Sequence, residues 1–352
     1  MIIHRLDTPI VLAPLAGGPS TPELAAAASN AGALGFLAAG YLSADQLAER
    51  IAAARSLTTR PLAVNVFAPG EGPSDHAAYE EYVERLRRWT GDQQLPVGEP
   101  RFSDDDWDAK LALLVSEPVD AVSFTFGLPA RDVVERLRRA GSEVWVTITT
   151  PEEASLAEQG GADVLVVQGL EAGGHRGSFA DEPGLSGYGL LPLLSLVGAT
   201  SSLPMVASGG IATGGAVAAV LCAGARAAQL GTAFLLAAEA GTSAAHRAAI
   251  AGDARTTLTR AFTGRLARGI HNRFIAEHES QAPIAYPEIH YVTAPMRRHA
   301  RDRGDAELIN LWAGEAHALA RELPTAEIVR WLSDDARTAL ASASARCDNQ
   351  SR

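Results

Sequence analysis

Short apolar runs alternate with longer stretches of helical periodicity along most of the chain. PIVLAP (9–14) precedes TPELAAAASNAGA, where Thr21 is set to cap a helix, Pro22 takes its first position and Glu23 its first turn. ALGFLAA (33–39) precedes SADQLAERIAAARSL, with Ser43 as cap. PLAVNVF (61–67), DAVSFTF (120–126), EVWVTIT (143–149), ADVLVVQ (162–168), PMVASGG (204–210) and ARAAQLG (225–231) bring the strand candidates to eight. Strands that alternate with helices predict a parallel sheet, because parallel neighbours need a crossover. The runs are continuously apolar, as expected of strands covered on both faces. Eight such units predict an α/β fold, a (β/α)8 TIM barrel. A doubly wound open sheet competes, but no GxGxxG follows the first strand.

Two stretches exceed this plan. The connection 68–119 is too long for a simple crossover and predicts an elaborated loop with an extra helix, ending in the acidic FSDDDWDAK. A long stretch also follows the eighth strand. Within it, PTAEIVRWLSDDARTAL (324–340), with Thr325 as cap, has the apolar spacing to return to the barrel wall. The expected organisation is a barrel of 1–236 plus 320–346, a smaller helical insertion domain of 237–319 covering the substrate, and a tail of 347–352 that frays from 345.

Composition narrows the function. The chain has 352 residues, 47% of them apolar, enough for one large core or two unequal ones. Its 30 basic and 41 acidic residues leave a net charge of −11, which argues against nucleic acid and anionic membrane surfaces as partners. The two cysteines, Cys222 and Cys347, have no metal or disulfide spacing, and Cys222 is expected in the core. Little acidic clustering occurs at the strand ends, so no metal is expected. The N-terminus does not read as a signal peptide and no membrane span is expected, so the reading is a cytoplasmic monomer or homodimer.

Active sites of this fold lie at the C-terminal strand ends, and phosphate often binds after strands 7 and 8. The loops there are SGGIATGG (208–215) and QLGT (229–232). Both carry glycines that let backbone N–H groups approach an anion, and both precede helix starts. Gly209, Gly210, Gln229, Leu230, Gly231 and Thr232 are therefore candidates for a phosphate-bearing ligand, although glycines also serve tight turns alone. Asn65 and Gln168 end strands 3 and 6, with Ser123, Thr125, Thr147 and Thr149 on strands 4 and 5. A carboxamide offers donor and acceptor together, which suits a flat heterocycle.

One histidine stands among these loops. In QGLEAGGHRG (168–177), His175 follows Gly173 and Gly174, which leave room for a close ligand. Others, among them His246 and His290, fall in terminal or helical stretches. His175 is thus the candidate proton acceptor and the one group there expected to exchange a proton near neutral pH. Glu171 either orients this loop or caps backbone.

APLAGG (13–18), QGLEAGGHRG, ASGGIATGG (207–215) and QLGTAFL (229–235), in this order, resemble the nitronate monooxygenases, formerly called 2-nitropropane dioxygenases. TRAFTGRLARGIHNRF (259–274) and NLWAGEAHALARELPTAEIV (310–329) are similar to the family's C-terminal stretches. The resemblance implies a barrel with non-covalent FMN beneath a small helical domain. It implies FMN contacts from Asn65, Gln168, Gly173, Gly210 and 229–232, with Ala13, Pro14 and Leu15 lining the flavin, and His175 as the catalytic histidine. It implies oxidation of nitronates by O2 to a carbonyl compound and nitrite, with propionate 3-nitronate as the usual substrate. Leu15, Ala233 and Glu315 stand where the family often has Met, Arg and Gln. Tyr286 and Tyr291 are candidate substrate contacts. An FMN-dependent enoyl-acyl carrier protein reductase, whose site loop also resembles EAGGH, and a non-redox phosphate-binding barrel remain as alternatives.

Overall fold

The computed structural model describes residues 1–184 and 187–350. All eight apolar runs form strands: β1 (Ile10–Leu12), β2 (Gly35–Ala38), β3 (Leu62–Phe67), β4 (Ala121–Thr125), β5 (Glu143–Ile148) and β6 (Val164–Gln168), then, past the short β7 (Gly174–His175), β8 (Met205–Ser208) and β9 (Ala227–Leu230). Their order is β1-β9-β8-β6-β5-β4-β3-β2, every pairing parallel. A parallel bridge between Val11 and Leu34 joins the two ends. The sheet is a (β/α)8 barrel.

The crossovers carry α1 (Pro22–Asn30), α2 (Ala44–Leu57), α3 (His76–Asp92), α4 (Trp107–Ser116), α5 (Arg131–Ala140), α6 (Pro151–Gly160), α7 (Leu190–Thr200) and α8 (Gly214–Cys222). Beyond β9 come α9 (Ala244–Ile250), α10 (Arg273–His278), α11 (Glu288–Arg303) and α12 (Thr325–Gln350). The caps at α1 and α2 form as the sequence predicts. The Thr21 hydroxyl accepts from the Leu24 amide, and Ser43 with Gln46 closes a full capping box. α12 packs on α8 and α1 and so completes the ring of helices.

Inside the barrel, side-chain period two stacks distinct layers. Phe36, Ala63, Ala121, Trp145, Val164, Val166, Val206 and Ala227 fill the lower interior, with Ile2 and Ile3 plugging it. Two residues further along the same inward faces stand Asn65, Ser123, Thr147, Gln168, Ser208 and Gln229. The interior thus turns from apolar to polar towards the C-terminal strand ends.

A second apolar cluster gathers Phe262, Ile270, Phe274, Ile289, Val292 and Met296 from beyond β9. Four details depart from the sequence reading. α3, in the third connection, contributes Tyr82, Val83 and Leu86 to this second cluster, because its apolar stripe finds those partners. The segment expected to be helical also holds β10 (Thr256–Thr259) and β11 (Ala267–Ile270), and β11 pairs antiparallel with β10 and with β7. Thr325 is the first residue of α12 rather than its cap, its hydroxyl donating to Glu239 Oε2 at 2.6 Å, and α12 continues through the tail expected to fray from 345. Cys222 is exposed at the last turn of α8, whose packed face presents Val217, Ala218 and Val220 instead.

Candidate active site

A cavity of about 510 Å3 opens above the polar layer. Its wall includes Ala13, Pro14, Leu15, Asn65, Gln168, Gly173, Gly174, His175, Gly209, Gly210, Gln229, Leu230, Gly231 and Thr232. The structure therefore brings these fourteen residues, singled out in the sequence, to one place. The volume falls within the roughly 300–1,000 Å3 that encloses a medium-sized organic ligand.

The carboxamides differ in what they leave free. Asn65 Nδ2 is engaged by Ser123 Oγ at 2.8 Å and Thr125 Oγ1 at 2.9 Å. Gln168 uses both of its ends on its own loop: Nε2 donates to the His175 carbonyl at 3.1 Å, and Oε1 accepts from the Gly177 amide at 2.8 Å. Gln168 thus pins the histidine loop while presenting its flank to the cavity. Gln229 makes no side-chain hydrogen bond among the described residues, although it is 5% exposed and lines the cavity. Its amide is available to a ligand.

Beside Gln229 runs the glycine wall. Gly210 has φ of +67°, a conformation that glycine adopts at no steric cost. Among the described residues, no carbonyl takes up the N–H groups of Gly210, Gly231 and Thr232. Unpaired backbone donors at a cavity wall suit an anion.

His175 faces the cavity from β7, among the rings of Phe126, Tyr286 and Trp312 at 5.5–5.7 Å. Its Nε2 lies 2.9 Å from Thr263 Oγ1. The Thr263 hydroxyl also faces the Arg265 carbonyl at 3.3 Å. Thr263 thus holds the ring at Nε2, and Nδ1 has no protein partner among the described residues. Burial, then the Arg265 and Arg297 guanidinium groups, push the imidazole pKa down to about 3. This corrects the expectation of proton exchange near neutral pH: the ring is neutral there and a weak base, and it holds a proton only when a nearby anion offsets the two arginines. Glu171 plays no part in orienting the ring. Its carboxylate accepts from the Leu190 amide and caps α7.

The loop carrying His175 is anchored from the second cluster. Arg260 and Asp181, both nearly buried, form a two-pronged pair at 2.7 and 3.2 Å, and Asp181 Oδ2 also accepts from the Leu266 amide. Arg265 donates to the carbonyls of Arg176 and Ser178 and stacks over Phe126.

Sequence reasoning missed one whole wall. His290, Ala294, Arg297, Arg298 and Arg301 line the cavity from a single face of α11, and His246 joins them from α9. His175 is therefore one of three histidines at the cavity. The run MRRHAR (296–301) was the available signal, but a helix's charges do not reveal which way its face turns. Tyr286 reaches His175 and donates to the Tyr41 hydroxyl at 3.2 Å, whereas Tyr291 lies under Arg101.

Several buried imidazoles stay neutral. Burial is the leading cause that lowers His175 to about 3 and His246 and His278 to about 4. Below the ordinary histidine range, the unfolded chain binds protons that the native chain refuses. Stability is therefore greatest above about pH 6.5 and declines as pH falls towards 4. Calorimetry should show Tm lower at pH 5 than at pH 7.5 by roughly 5 °C or more. An unchanged Tm would contradict the neutral imidazoles.

A barrel with an imidazole, free glycine amides and an arginine-lined mouth belongs to many chemistries. The comparison with known sequences decides among them. The nitronate monooxygenase family profile matches residues 2–335. The chain belongs to the nitronate monooxygenase family. It is 41% identical to the nitronate monooxygenase of Pseudomonas aeruginosa, over 94% of this chain and 97% of that one. It is 38% identical to the nitronate monooxygenase of Paraburkholderia phytofirmans, over 95% and 94%. Among solved structures, a nitroalkane oxidase from Streptomyces ansochromogenes superimposes with a TM-score of 0.94 at 48% identity, covering 97% of this chain and 99% of that one. FabK from Thermotoga maritima shares the fold, with a TM-score of 0.77 at 23% identity over 99% and 97%.

Nitronate monooxygenases are flavin-dependent, and the chain is an oxidoreductase. Two departures from the family pattern now have addresses. Ala233 is buried in the barrel core, and Glu315 is tied to Arg268 at 2.9 Å, outside the cavity wall. No helix among the described residues is long and apolar enough to cross a membrane.

Proposed function

We propose that the chain oxidises alkyl nitronates of the propionate 3-nitronate type with FMN and O2, releasing a carbonyl compound and nitrite. The observation that carries this reading is His175: a neutral imidazole with a free Nδ1, held on β7 against a cavity with unpaired backbone donors. The donor set fits FMN. Gly209, Gly210, Gly231 and Thr232 would hold the phosphate, and Gln229, Asn65 and the flank of Gln168 would meet the ring. Gly173, Gly174, Ala13, Pro14 and Leu15 would line it, glycine and small apolar residues suiting a flat system. Bound there, FMN supplies the electron acceptor for the substrate and the reductant for O2.

The residues of the chain do the rest. With a neutral nitroalkane, His175 Nδ1 takes the acidic proton from the carbon bearing the nitro group. With a preformed nitronate that step is already complete, and the imidazole positions the anion. Arg298 and Arg301, on the α11 face at the cavity, attract an anionic substrate. The second cluster, formed by 237–319 together with α3, covers the cavity and limits water.

Anaerobic mixing tests the reading. Flavin absorbance should bleach with ethyl nitronate and persist with NADH. Fast bleaching by NADH would favour the reductase alternative, and a protein that takes up no flavin would remove both.

A further inference from the structure

The cavity holds a second imidazole whose protonation pattern is set by the protein. His290 sits on the α11 face that lines the cavity. One face of its ring stacks on Tyr41, with centroids 4.0 Å apart and planes within 6°. Tyr291 meets it edge-on at 5.1 Å. Arg297 Nη2 approaches His290 Nδ1 at 3.2 Å and the His290 carbonyl at 2.8 Å. A guanidinium group has donors only, so Nδ1 must accept. The hydrogen of the neutral ring is therefore on Nε2.

Arg297 is not free to choose otherwise. Its Nε donates to Thr293 Oγ1 at 3.0 Å and its Nη1 to Asn310 Oδ1 at 3.2 Å, and the residue is 4% exposed. Every nitrogen of the fork is engaged by α11 itself or by Asn310. Nε2 of His290, in contrast, has no protein partner among the described residues. The ring is thus a donor with a fixed tautomer and a fixed plane, facing a space that a ligand fills.

We propose that His290 is a specificity-determining residue that donates from Nε2–H to an oxygen of the anionic substrate, with Arg297 as the positioning residue that fixes this tautomer. The proposal rests on the nitronate reading above. It divides the work between two imidazoles. His175 offers a lone pair at Nδ1, where a proton is taken. His290 offers a hydrogen at Nε2, where negative charge is received. Burial, then the Arg297, Arg101 and Arg301 guanidinium groups, hold His290 in its neutral form. A neutral donor recognises the anion without forming a competing ion pair or donating its proton outright.

The test uses flavin-loaded protein and the variants His290→Phe and His290→Gln. Phe keeps a flat ring against Tyr41 and loses the donor. Gln accepts from Arg297 and still presents an N–H. With ethyl nitronate, His290→Phe should raise KM roughly tenfold or more, with kcat changed less than about threefold, and His290→Gln should recover most of the loss. Calorimetric titration with nitrate, a planar anion that is not turned over, should show the same order of affinities. Imidazole 15N shifts of the wild-type protein should report Nε2 protonated and Nδ1 bare.

An unchanged KM and nitrate affinity in His290→Phe would overturn the proposal, as would a protonated Nδ1. If the wild-type protein turns over no nitronate, the functional reading falls, and the nitrate titration judges His290 alone.

Discussion

His175→Ala should keep the flavin and lose about 100-fold or more of its turnover with nitroethane. The loop should survive the change, because what holds it in place is backbone. Gln168 grips the His175 carbonyl and the Gly177 amide, and β7 pairs with β11 through main-chain bonds. What disappears is the lone pair on Nδ1. With preformed ethyl nitronate the proton has already left, so the loss should be within about tenfold. Parallel steady-state assays on the two forms of one substrate separate the roles. Equal losses with both would assign His175 to positioning alone, and no loss with either would make it a packing residue.

Gly210→Glu should yield protein with roughly a tenth or less of the wild-type flavin, read from its absorbance after purification. Two effects act together. The φ of +67° disfavours any side chain, and a Cβ there would come within 2.9 Å of Glu171 Cβ. The added carboxylate would also bring a negative charge to the glycine wall where the phosphate is proposed to sit. Gly210→Ala carries the strain and the Cβ without the charge. An alanine variant that keeps more flavin than the glutamate variant assigns the difference to the added bulk and charge. Normal occupancy in Gly210→Glu would remove the phosphate from this wall.

Much of the barrel is legible in the sequence because its strands are buried on both faces, so their apolar runs are unbroken. The glycine loops after β8 and β9 are legible because topology places them on one rim. Other features depend on tertiary packing. β10 and β11 are short, TTLT and ARGI, and become strands through pairing with each other and, for β11, with β7. His246 and His290 read as ordinary helical residues, since the helix face turned to the cavity is set by what α9 and α11 pack against. Asp105 shows the same limit. In the sequence it is only one of an acidic run, yet it pairs at 2.7 Å with the fully buried Lys110 and accepts from the Tyr41 amide at 2.8 Å. A buried pair of this kind holds Tyr41 at the site, and no local pattern announces it.

The pairing of β7 with β11 also decides what His175 travels with. By chain connectivity the histidine belongs to the barrel, on the connection after β6. By main-chain hydrogen bonding it is the edge of a three-stranded sheet whose other strands lie beyond β9. Any opening that swings this sheet away from the barrel rim draws the imidazole off with it, while Gln229 and the glycine wall stay behind.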